Sequence, residues 1–127
     1  MIMSEGKLPT VPISIQRGDS YSSFWRIRQL DGSFYVPTSN DFVIVGVKRN
    51  TAASDYLIKK IYSRQDFTDN GFYFNLSADE TKNFIPSIYE YDIAIKIKNA
   101  SGSYSFYHVI DVSPFVVNDV ITLMEEE

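Results

Sequence analysis

The chain of 127 residues has the size of a single domain and can bury roughly two-thirds of its unfolded surface, so it needs no covalent staples to hold a core. Twelve Lys and Arg against sixteen Asp and Glu give a net charge of −4 with no basic block, which argues against nucleic-acid binding, where a basic stripe must replace phosphate counterions. Cysteine is absent, Met1 to Gly6 lacks the basic and apolar regions of a signal peptide, and no apolar run approaches the ~20 residues that cross a bilayer, so we expect a soluble protein with no disulfide, thiolate metal site or membrane contact.

Residues 1–10 carry no periodic pattern, and Pro9 and Pro12 disfavour both helix and central strand, so they are expected to form a flexible or partner-bound arm. A short strand around Ile13–Ile15 follows, then a turn at Arg17-Gly18-Asp19-Ser20. Tyr21 to Gln29 alternates, with Trp25 and Ile27 assigned inward. Leu30 to Ser33 turns the chain, and Phe34 to Val36 forms a short paired segment. Asp41 to Lys48 is apolar on both sides, Val43, Val45 and Val47 opposing Phe42 and Ile44, as in a central strand or one covered by a neighbouring subunit. Tyr56 to Tyr62 resumes β character. Asn70-Gly71 signals a turn into Phe72–Leu76, whose apolar face is Phe72, Phe74 and Leu76.

Ser77 and Glu80 fit a capping box, which predicts one short helical turn over about 78–84, stopped by Pro86. The clearest strand comes next. Tyr89, Tyr91, Ile93, Ile95 and Ile97 fall on one side, and Glu90, Asp92, Ala94, Lys96 and Lys98 on the other, the two-residue period of a half-buried strand. Asn99 to Gly102 forms a hairpin into Tyr104–Val112, and the chain closes with Phe115-Val116-Val117, an Asn118-Asp119 turn and Val120 to Met124. Short strands with turns every eight to twelve residues indicate an all-β fold, an antiparallel β-sandwich of about seven to eight strands over residues 11–117, with 118–127 as a C-terminal tail.

Catalysis has little to stand on. His108 is the only histidine, it lies in a strand among Phe106, Tyr107 and Val109, and no Gly-x-Ser-x-Gly elbow or cysteine nucleophile accompanies it, so we read it as structural and expect no enzyme. Asp66, Asp69 and Asn70 share one loop, but their spacing matches no EF-hand, and no cofactor or metal is expected. Arg17-Gly18-Asp19 spells an integrin-type tripeptide that an ordinary turn explains. With nine Tyr, nine Phe and one Trp, an aromatic carbohydrate platform is the stronger rival, and Tyr104, Tyr107 and Tyr56 are the candidate glycan contacts. The apolar run after the last well-defined strand suggests either an eighth strand or a segment that pairs with a neighbour. Phe115, Val117, Val120, Ile121, Leu123 and Met124 are therefore the candidate partner-binding residues.

The order Arg17-Gly18-Asp19-Ser20 and an aromatic strand, then Gly71 and a strand ending in Leu76-Ser77-Ala78-Asp79-Glu80-Thr81, then Pro86 and Tyr89-Glu90-Tyr91-Asp92-Ile93, resembles the immunoglobulin-like N-terminal domain of phage baseplate upper proteins and related tail proteins. The resemblance covers roughly residues 12 to 117 and departs from it at Ser87, where the family usually has glycine. It implies an immunoglobulin-like sandwich that performs no chemistry. The chain would then be a structural component of a phage virion, in the tail, baseplate or capsid decoration, assembled in the bacterial host cytoplasm. It would bind other virion proteins as a homo- or hetero-oligomer. A carbohydrate-binding or host-adhesion domain is the alternative.

Overall fold

The computed structural model describes residues 8–122 and is an all-β sandwich. Its strands are β1 (Ile13–Gln16), β2 (Tyr21–Trp25), β3 (Phe42–Lys48), β4 (Ile58–Tyr62), β5 (Phe72–Leu76), β6 (Ser87–Lys98), β7 (Tyr104–His108) and β8 (Ser113–Asn118), with a helix α1 (Ala78–Lys82) between β5 and β6. One sheet runs β1-β8-β6-β3-β4, with β7 also on β6; the other is the antiparallel pair β2-β5. All neighbours are antiparallel except β1 and β8, which run parallel with Ile13 beside Phe115, a departure from the expected all-antiparallel arrangement. A 3-10 turn over Arg64–Asp66, closed by a Ser63–Asp66 capping box, adds a second helical turn where one was expected.

β6 organises the large sheet. One edge pairs with β3, Val45 beside Ile93; the other takes β8 along Ser87–Tyr91 and β7 along Ala94–Lys98. β7 and β8 are thus one strand interrupted at Ile110–Val112, with the Val109 N–H still donating to Ile93 before the break. The interruption admits the incoming chain: Asp111 N–H donates to the Pro9 carbonyl, Val11 N–H to Ser113 Oγ, and the Tyr91 hydroxyl to the Val11 carbonyl.

The two-residue period decides the layers. Val43, Val45 and Val47, Tyr89, Tyr91, Ile93 and Ile95, and Phe115 and Val117 turn inward and are buried, facing Phe72, Phe74 and Leu76 of the small sheet. Each fully buried side chain contributes about 1.5–3 kcal/mol before conformational entropy is set against it. Tyr62 and Phe67 stack on Phe72 at 4.6 and 5.4 Å, and Phe84 meets Tyr89 edge-on at 5.1 Å. Ile27 is buried and Trp25 half-buried, both on the inner side as expected, with the indole N–H donating to Ser23 Oγ. Tyr89 also donates its hydroxyl to the Ile85 carbonyl, four residues back, at 2.5 Å. A tyrosine near the start of a strand bonded back to the backbone in this way forms a corner of the kind found in β-sandwiches.

The turns follow local chemistry. Asp69 and Asn70 have φ of 52° and 62°, so they, and not Asn70-Gly71, are the central pair of the two-residue turn closed between Thr68 and Gly71. Gly18 has φ of 88°, as the third residue of a type II turn requires. That turn is held from α1: the buried Thr81 hydroxyl accepts from Gly18 N–H at 3.0 Å and donates to the Asp19 carbonyl at 2.7 Å. The predicted cap is present, Ser77 Oγ accepting from Glu80 N–H at 3.1 Å and Glu80 Oε1 from Ser77 N–H at 2.9 Å, although the helix ends at Lys82 rather than near Phe84.

Thr81→Val keeps the shape but leaves the Gly18 N–H without an acceptor, and chemical denaturation should show a loss of about 1–3 kcal/mol. Glu80 gives a pH dependence. Burial pushes its carboxyl up, but hydrogen bonds from the Lys60 ammonium at 2.5 Å and from the Ser77 backbone outweigh that and hold it below the ordinary value. Its stabilising contribution is therefore complete above the unfolded-state value and is lost as pH falls through the depressed folded value. Glu80→Gln should flatten the acid limb of a stability-against-pH curve relative to the parent.

Candidate interaction surface

Cross-strand partners share a face of a sheet, so the register assigns the outer face of the large sheet residue by residue. Across its middle runs the row Ile61, Ile44, Ala94 and His108. On one side lie Phe42, Lys96 and Phe106; on the other, Lys59, Gly46 and Asp92. Ile61, on the edge strand β4, is 54% exposed, and Phe106, on β7, is 57% exposed, so the two ends of this face carry large apolar groups open to solvent. Gly46 has a specific role here: the Tyr56 ring lies over it so closely that a Cβ at this position would sit 2.6 Å from the ring. Tyr56 is in turn flanked by the ammonium groups of Lys48 and Lys59 at 4.8 and 5.0 Å from its centroid. Lys96 covers Tyr104 at 4.3 Å and Phe106 at 5.8 Å.

The outer face of the small sheet is more self-contained. Phe24 and Tyr73 meet at a tilt with centroids 4.8 Å apart, Arg26 lies 5.0 Å from the Phe24 ring and pairs with Asp69 at 2.6 Å, and Ser22 donates to Asn75.

The carboxylates of the loop after β4 are engaged in local structure. Asp66 accepts from Ser63 N–H and Asp69 pairs with Arg26, and no group of three metal-ligating side chains occurs among the described residues. His108 Nε2 faces Asp92 at 3.4 Å on the open face. Arg17 binds Asp119 through Nε and Nη2 at 3.1 and 3.0 Å, and the Gly18-Asp19 backbone is bound by Thr81, so this tripeptide is spent on the fold. A hollow of about 150 Å³ lies beside Tyr56, Thr51 and Glu90, and larger ones of about 390 and 570 Å³ lie beside Ile58, Glu80 and Phe84 and beside Ser39, Ser63 and Arg64. Asp41 is buried, yet its oxygens accept from Thr38, Tyr35 and Lys98 N–H; burial and the Asp41 charge raise the Tyr35 phenol above its ordinary range.

The expected site residues separate. Phe115 and Val117, expected to meet a partner, are inward residues of β8 with 0% and 2% exposure, and the expectation is corrected: the run they begin is an internal strand bound between β1 and β6. Val120 is half-buried and Ile121 is 97% exposed just beyond that strand, while Leu123 and Met124 lie outside the described residues. Of the glycan candidates, Tyr56 and Tyr104 are exposed on the outer face. Tyr107 is not with them, because it pairs with Ile95 and turns to the opposite side. The exposed Ile61 and Phe106 entered no predicted site. Their signal was the apolar occupancy of both sides of Asp41 to Lys48, which left an apolar face with no second layer assigned to it.

Compared with known proteins, the chain matches no family model and no curated sequence.

Phe115→Ala should cost about 3–5 kcal/mol in a denaturation midpoint experiment, as a core truncation does, whereas Ile121→Ser should stay within about 0.5 kcal/mol.

Proposed function

We propose that this chain is a non-enzymatic structural component of a phage virion, in the tail, baseplate or capsid decoration, where it acts as a protein–protein interaction module. The observation that carries the reading is the outer face of the large sheet. It exposes Ile61, Phe106 and Tyr56 among charged side chains, the mixture of apolar and polar groups of a contact surface. The order of motifs from Arg17 to Ile93 supplies the phage context, and the β-sandwich with its tyrosine corner is consistent with it. Partners are other virion proteins, with assembly in the bacterial host cytoplasm.

A carbohydrate-binding or adhesion domain is the second reading, favoured by the exposure of Tyr56 and Tyr104 on one face. Against it, lysine ammonium groups lie over both rings, where the apolar face of a sugar would have to stack.

Co-expression with the virion genes that flank its own should yield a complex of fixed stoichiometry by native mass spectrometry, and the chain should be present in purified particles. Its absence from both would overturn the reading. Removing residues 120–127 spares the Arg17–Asp119 pair and β8, so the shortened chain should fold; loss of the complex would assign the tail a role in assembly. Sugar binding on a glycan array that disappears in Tyr104→Ala would favour the second reading instead.

A further inference from the structure

We infer that the outer face of the large sheet binds a second copy of this chain across a two-fold axis that runs perpendicular to the strands, along the row Ile61, Ile44, Ala94. The inference rests on the reading of the chain as an interaction module and names the partner of one surface.

Beyond Ile88, which is exposed near the start of the strand, the outward residues of β6 are, in order, Glu90, Asp92, Ala94, Lys96 and Lys98: two acids, a neutral centre, two bases. This pattern inverts its charge about Ala94. Two copies meeting face to face are related by an axis in the plane of contact. An axis along β6 itself would set Glu90 against Glu90 and Lys98 against Lys98, which like-charge repulsion disfavours. An axis across the strands through Ala94 reverses the strand direction and sets Asp92 against Lys96 of the second copy, and Glu90 against Lys98. Both pairs then occur twice.

Residues on such an axis meet themselves, which only uncharged groups tolerate. The register puts Ile61, Ile44 and Ala94 there, with His108 at the end of the row turned to its own Asp92. Counting the same number of residues either side of the row, Phe42 comes opposite Gly46, whose surface is the Tyr56 ring, so aromatic groups meet. The other cations of this face, Lys48 and Lys59, come opposite the positions of Asn40 and Ser63, so the axis brings no like charges together.

The test uses Asp92 and Lys96. Within one chain they are four residues apart on a strand, about 13 Å, and cannot pair with each other. In sedimentation velocity over a roughly hundredfold concentration range, the full chain should show a reversible monomer–dimer equilibrium. Asp92→Lys and Lys96→Glu should each weaken it by about tenfold or more, and the double variant should restore it, because the swapped charges again face one another across the axis. Ile61→Glu, at an exposed site, should abolish the dimer without unfolding the chain, and circular dichroism melts identify any variant that fails to fold. A chain that is monomeric throughout, a dimer indifferent to the single reversals, or a double variant no better than the singles overturns the inference. A monomer that still joins the virion complex overturns this inference alone; a dimer absent from particles overturns the virion reading alone.

Discussion

The constraint on which the rest of this structure depends is the two-residue period of β6. Once Tyr89, Tyr91, Ile93 and Ile95 turn inward, every intervening residue must turn outward, whatever its chemistry. The inward set fixes the register of β3, β8 and β7, since a slip by one residue would carry the buried side chains to the surface. It also fixes the start of the strand, because the Tyr89 hydroxyl can reach Ile85 only from this phase. The outward set inherits whatever residues remain, and it is there that the chain carries its ordered acids and bases.

Local features were the legible ones. The alternation of β6, the Ser77–Glu80 cap and the turn at Asn99–Gly102 all rest on neighbours within a few residues, so sequence spacing specifies them directly. Pairings between distant strands were not legible. β8 reads as an apolar run of ambiguous destination, and nothing in Phe115-Val116-Val117 states that its partners are Ile13–Ile15 and Tyr89. For that reason the sequence alone points Phe115 and Val117 to a surface role, although they are among the most buried side chains. Periodicity separates the two faces of a strand, but it does not say which face has a second layer.

The candidate surface was half legible for the same reason. The apolar doubling of β3 marked Phe42 and Ile44 as needing cover, yet the two-stranded sheet β2-β5 covers only the inner side of the five-strand path. Ile61 and Phe106 join them only through β4 and β7, whose positions depend on registers that no local pattern encodes. Tyr107 shows the converse: its residue type suited a contact platform, but its place opposite Ile95 turned it to the other side.

The parallel pairing of β1 with β8 has a consequence for how the protein comes into being. Among the described residues β1 has no other strand neighbour, and its registered partners lie 102 residues further along the chain, Ile13 beside Phe115. A ribosome that has released β2 to β6 has therefore produced strands with their mutual contacts available, while β1 still waits for β8. Closing so long a loop is slow compared with forming a hairpin. The edge of β1 is thus exposed until β8 has emerged, and this part of the sheet closes from β8 back to β1.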